Sequence, residues 1–120
     1  MKRLDKAEYQ SRLEELNSLV KKEDYEGALA VVEAVDWQRV KSLRTLGMVA
    51  DVYEANKRYP EAKKILLMAY DRSSIGKGIL YRLVEVSVKM KDFDEAIDFY
   101  NEFEAVARHD NSRYLLKYKI

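Results

Sequence analysis

Apolar residues in this chain recur at intervals of three and four, the spacing that collects side chains on one stripe of a helix. Three such runs stand out: Leu13, Leu16, Leu19 and Val20; Leu46, Val49, Ala50 and Tyr53; Leu80, Leu83, Val84 and Val88. A short polar turn follows each, at Lys22-Glu23-Asp24, Asn56-Lys57-Arg58 and Lys91-Asp92. Beyond each turn a second helix is predicted, opening on an aromatic residue followed three positions later by alanine. Pro60 suits that start, because the first helical turn has no internal partner for the N–H that proline lacks. With one Pro and four Gly in 120 residues, little interrupts these helices.

The second-helix elements align without a gap: Asp24-Tyr25-Glu26-Gly27-Ala28, Arg58-Tyr59-Pro60-Glu61-Ala62 and Asp92-Phe93-Asp94-Glu95-Ala96. Both the aromatic and the alanine recur every 34 residues, and a larger residue (Val32, Leu66, Tyr100) follows each alanine by four. The small alanine predicts close approach of the two helices of a unit, with the aromatic and the later large residue closing the sides.

The period and these residues resemble the tetratricopeptide repeat family, whose 34-residue unit carries the same alanine and large residue in its second helix. The resemblance covers about residues 9–110 as repeats 9–42, 43–76 and 77–110, followed by a terminal helix over 111–120, all in one domain spanning 1–120. It implies an all-α fold, a right-handed superhelix of antiparallel helix pairs. Departures are visible. The family's Trp position holds Arg12, Leu46 and Leu80, its small position Leu16, Ala50 and Val84, and its closing Pro is replaced by Val40, Ser74 and Arg108. The first repeat is the most degenerate. Pentatricopeptide units step by 35 and HEAT or armadillo units are longer, about 40–47 residues; a plain bundle leaves the spacing unexplained.

At the N-terminus, Asp5 is a predicted cap for a first helix that Met1 to Glu8 can extend. At the other end, Asp110, Asn111 and Ser112 offer caps to a helix containing Tyr114, Leu115, Leu116, Tyr118 and Ile120. That helix is apolar on more than one face, unlike a solvated end cap. It either docks as a short lid or marks a chain that continues, and the second reading is favoured.

Composition narrows the function. The 22 Lys+Arg and 21 Asp+Glu leave a net charge of +1, without the basic excess of a nucleic-acid binder. No cysteine is present, so disulfides, thiolate nucleophiles and Cys-based metal sites are excluded. The longest apolar run, Ile65 to Tyr70, is far shorter than the ~20 residues of a membrane-spanning helix. The charged start Met1-Lys2-Arg3-Leu4-Asp5-Lys6 is unlike a signal peptide and predicts a cytoplasmic protein, unless a leader was removed before it.

No set of residues converges on chemistry. The single histidine, His109, falls near a helix C-terminus, where a cation is favourable. Asp92, Asp94, Glu95 and Asp98 lack the turn glycine of a calcium loop and coincide with a helix start. Glu14-Glu15 is a solvated pair. Ser73 to Gly78 has Asp71 and Gly78 where a phosphate loop needs Gly and Ser or Thr, and reads as an inter-repeat turn relaxed by Gly76 and Gly78. Trp37 is assigned to packing between repeats, and most of the nine Tyr to core columns rather than to base stacking.

The family resemblance implies a concave face lined by the first helix of each repeat, receiving a peptide or protein segment. Carried over, the lining is Gln10, Leu13, Asn17 and Lys21; Arg44, Gly47, Met48, Asp51 and Glu54; Gly78, Tyr81, Arg82, Glu85 and Lys89. The carboxylate clamp of the family's chaperone-binding members is not reproduced, since its positions hold Leu13, Asn17, Met48, Gly78 and Arg82. The partner-binding residues expected here are Asn17, Lys21, Arg44, Met48, Asp51, Tyr81, Arg82 and Glu85, with a hot spot at Gly47, Met48 and Tyr81. Lys21, Arg44, Arg82 and Lys89 against Asp51, Glu54, Glu85 and, at the edge, Glu14 predict a partner of mixed charge. The expectation is a non-catalytic interaction module without cofactor or metal, binding protein or peptide and neither nucleic acid nor membrane. Self-association as a homodimer through the terminal helix is the alternative. An assembly segment of a larger enzyme is a third.

Overall fold

The computed structural model describes residues 5–73 and 76–107. Met1–Leu4, Ser74, Arg108, His109, Asp110 and the expected terminal helix over 111–120 lie outside them. Six helices account for most of the described chain: α1 (Lys6–Lys21), α2 (Tyr25–Glu33), α3 (Leu43–Ala55), α4 (Tyr59–Arg72), α5 (Lys77–Lys89) and α6 (Phe93–Val106). None of the described helices is long and apolar enough to cross a membrane.

The helix starts follow the sequence period. The second helices of the three units open on Tyr25, Tyr59 and Phe93, and α3 and α5 open on Leu43 and Lys77. Asp5 caps α1, accepting from the Glu8 amide at 2.8 Å, so this helix begins three residues ahead of the repeat register. Ser42 caps α3 through the Thr45 amide at 3.2 Å. Gly76, at φ 70°, is the N-cap of α5, whereas Gly78 lies inside the helix and not in the turn.

The turns within the units are built the same way three times. Glu23, Lys57 and Lys91 adopt left-handed φ of 59°, 58° and 60°, each 34 residues from the last. Their amides donate to Val20, Glu54 and Val88, and the next amides (Asp24, Arg58, Asp92) donate to Leu19, Tyr53 and Ser87 at 2.8–2.9 Å. This is a Schellman stop, which satisfies carbonyls left over at a helix end. The residue completing it also starts the next helix. Asp24 accepts from the Gly27 amide and Asp92 from the Glu95 amide, whereas Arg58 has no capping bond and Pro60 serves in the first turn. A three-residue link with the two helices in contact requires the chain to fold back on itself.

Substantial contacts run between consecutive helices, from α1 on α2 through to α5 on α6. Ala28, Ala62 and Ala96 are fully buried, as are Leu16, Ala50 and Val84 in the facing column. Helices α3 and α5 bury more than the predicted stripe, including Val52 and Val86. They have neighbours on two sides, so a wider arc of each loses solvent.

Two features depart from regular repetition. Helix α2 stops at Glu33, about a turn earlier than α4 and α6 by the period. The chain there turns Trp37 inward, where it is buried, donates its indole N–H to the Val32 carbonyl at 2.9 Å, and meets Tyr9 edge-on at 6.2 Å. Trp37 is thus a packing residue, with both of these contacts inside the first unit and not, as expected, between repeats. The second departure is Phe93, 47% exposed where the repeat pattern predicts a closing contact. Its counterpart Tyr59 lies beneath the Lys89 ammonium, 5.6 Å from the ring centroid, but no described helix follows α6 to cover Phe93.

Candidate functional site

Helical spacing puts Leu13, Asn17, Val20 and Lys21 on one side of α1, and Arg44, Thr45 and Met48 on the facing part of α3. Together they line an open groove of about 660 Å³. Four of the predicted partner-binding residues meet here: Asn17, Lys21 and Arg44 exposed, Met48 half-buried. Val20, which the sequence pattern assigns to the core stripe, and Thr45, which it does not mark, complete the lining. Val20 sits at the margin of the core stripe and is half-buried. Thr45 belongs to the capped first turn of α3, a position the apolar pattern does not mark.

The other predicted residues form a different arrangement. The half-buried Arg82 reaches from α5 to α3, with Nη2 2.6 Å from both Asp51 Oδ1 and Glu54 Oε2, and Nη1 donating to the Gly47 carbonyl at 3.2 Å. Lys89 Nζ lies 4.0 Å from Glu54 Oε1. Burial raises the Asp51 carboxyl above its ordinary range; Arg82 pulls it back, and the Glu54 charge adds to the rise. Arg82 also lines a second recess, of about 400 Å³, with Gly47, Gly78 and Lys77. A Cβ on Gly47 would meet Arg82 only at 3.5 Å, an ordinary contact, so glycine is not sterically required.

Tyr81 stands edge-on to Phe103 of α6, with ring centroids 5.8 Å apart. Much of its apolar surface is therefore engaged within the third unit. Met48 opens into the α1/α3 groove, and Arg82 and Lys89 carry ion pairs from α5 to α3. Glu85 is half-buried, one turn beyond Arg82 on the same helix.

Other polar links join the units. Asn56 donates its amide to the Tyr25 carbonyl at 2.9 Å and the Val52 carbonyl at 2.8 Å. Arg58 bridges Glu33 and Glu61, Lys63 pairs with Glu95, and the Arg72 guanidinium bonds the Gln38 carbonyl. The α1/α3 groove contains no His, Asp or Glu in its lining, so it presents donors and apolar surface but no acid–base pair. No protein-family model matches the chain, and no curated protein matches it.

Proposed function

We propose that this chain is a tetratricopeptide-like module: three helix-pair repeats stacked in a right-handed superhelix, without catalytic activity, acting in the cytoplasm. It binds a peptide or protein segment on the side formed by α1, α3 and α5, where Asn17, Lys21, Arg44, Met48, Asp51, Tyr81, Arg82 and Glu85 are distributed. The observation that carries this reading is the recurrence, at 34-residue steps, of one local structure: the left-handed stop at Glu23, Lys57 and Lys91, then the buried Ala28, Ala62 and Ala96. Packing between consecutive helices supports the stacked arrangement, and the α1/α3 groove provides the surface.

Selection of random displayed peptides on the chain tests the reading. Peptides should enrich, and their binding should be lost in Asn17→Trp, which fills the groove from an exposed position. Leu67→Ala on α4 should leave it intact. No enrichment, or binders indifferent to Asn17→Trp, would sink the proposal.

Self-association is the second reading. Phe93, Ile97 and Val106, all on α6, are three of the five large hydrophobic residues most exposed among the described residues. Light scattering over a hundredfold concentration range decides it. A dimer dissociated by Leu116→Glu supports an interface through the terminal segment, whereas a monomer throughout rules it out.

A further inference from the structure

Counting charges along the predicted face gives balance, but the structure shows that half of them are spent on one another. Arg82 is held by Asp51 and Glu54, and Lys89 lies beside Glu54 and over the Tyr59 ring. Lys21 and Arg44 have no ion pair among the described residues. Both line the α1/α3 groove with the Asn17 amide, and no carboxylate lines it with them. Between these polar groups lie Leu13, Val20 and Met48. Two uncommitted cations beside an apolar floor have a complementary ligand: carboxylates adjoining an apolar side chain.

We infer that the α1/α3 groove binds an acidic peptide segment, whose carboxylates meet Lys21 and Arg44 and whose neighbouring apolar side chain rests on Leu13, Val20 and Met48. This deepens the peptide-binding reading above and rests on it. Arg44 suits a planar, two-point contact with a carboxylate, and Lys21 acts as a point charge on a longer, mobile stem. The apolar side chain supplies burial that an ion pair alone lacks, since exposed pairs contribute little. Methionine adapts to side chains of different shape, which suits a groove that reads charge more strictly than volume. The chain's own C-terminal residues have the wrong sign for this site: Arg108, Arg113, Lys117 and Lys119 stand against a single Asp110. A nucleic acid would match the cations, but the groove has no aromatic ring on which a base could stack.

Sequencing the peptides selected on the intact chain supplies the test. Asp or Glu beside a large apolar residue should be enriched. Affinity of a synthetic peptide of that composition should fall about tenfold or more in Lys21→Glu/Arg44→Glu, because both contacts become repulsive. Lys6→Glu/Lys64→Glu makes the same change in net charge elsewhere and should leave affinity nearly unchanged; circular dichroism checks that all variants stay folded. Enriched peptides without acidic residues would overturn the inference while the peptide-binding reading survives. So would acidic peptides that bind the Lys21→Glu/Arg44→Glu variant normally, or that weaken equally in both double variants. Displacement of the peptide by a single-stranded oligonucleotide at comparable concentration would also overturn it, in favour of a phosphate ligand. Failure to enrich any peptide strikes instead at the broader reading.

Discussion

The side-chain amide of Asn56 donates at 2.9 Å to the backbone carbonyl of Tyr25, 31 residues earlier, while also bonding the Val52 carbonyl of its own helix. It ties the end of α3 to the start of α2 and so joins the first two units. Both bonds need a donor of fixed reach. Asn56→Ala should cost about 1 kcal/mol, because Val52 keeps a bond from the Asn56 backbone amide. Asn56→Asp should cost more, since a carboxylate would face two carbonyl oxygens. Equilibrium denaturation of the two variants checks this order; an aspartate variant at least as stable as the alanine one would contradict it.

The left-handed residues Glu23, Lys57 and Lys91 carry side chains in a conformation that glycine adopts without strain. Relief of roughly 1–2 kcal/mol is partly offset by glycine's larger entropy loss, about 0.5–1 kcal/mol. Each glycine substitution should therefore stabilise by about 0.5 kcal/mol. Lys57→Ala, which keeps the Cβ, should change stability little. Urea midpoints of the single variants and the triple glycine variant measure this, and a loss in every glycine variant would refute the account.

Ser87 is fully buried in α5, and its hydroxyl has no hydrogen-bond partner among the described residues. An unsatisfied buried hydroxyl is costly, and alanine removes it with little change of volume. Ser87→Ala should stabilise by about 1 kcal/mol. A measurable loss of stability would show that the hydroxyl is satisfied after all.

Trp37 is the only tryptophan in the chain. Its burial predicts blue-shifted fluorescence that moves red on unfolding. Trp37→Phe keeps an aromatic ring but removes the indole donor from the Val32 carbonyl, which still accepts from the Val35 amide at 3.4 Å, at a cost of about 1 kcal/mol. Red-shifted emission from the native protein would contradict the buried placement.

Asp51 predicts an uncommon pH response. Its carboxyl is raised chiefly by burial, against the pull of Arg82 and with the Glu54 charge adding to the rise. A carboxyl that holds its proton more tightly when folded opposes folding once ionised. That contribution is relieved as pH falls through the folded pKa towards the unfolded value near ~3.9. Asp51→Asn should therefore match or slightly exceed the native protein at neutral pH, and lose the advantage below about pH 4. The side chain is 58% exposed, so screening keeps the gain below about 0.5 kcal/mol. Thermal melts at the two pH values test it. A loss above about 1 kcal/mol at pH 7 would mean that the Arg82 pair outweighs burial.

Much of the local architecture is legible along the chain because it depends on neighbours in sequence. The starts of α2, α4 and α6 at Tyr25, Tyr59 and Phe93 follow from a cap or first-turn proline ahead of an apolar stripe. The buried alanines follow from their recurrence, since a small residue repeated at one position of an amphipathic helix marks where another helix comes close. The grouping of Asn17, Lys21, Arg44 and Met48 is what the family resemblance implies; helical spacing adds only that each lies off the core stripe.

Other features depend on groups brought together only by packing. Arg82 reaches Asp51 and Glu54 across 31 and 28 residues, so a charge count along the chain cannot tell engaged ions from those left for a partner. The early end of α2 is decided by Trp37, whose indole finds a carbonyl and the edge of Tyr9 only after the first unit closes. Phe93 carries the same local signal as Tyr25 and Tyr59, yet remains nearly half exposed. A helix start is specified by its own residues, whereas burial is specified by whatever lies across from it.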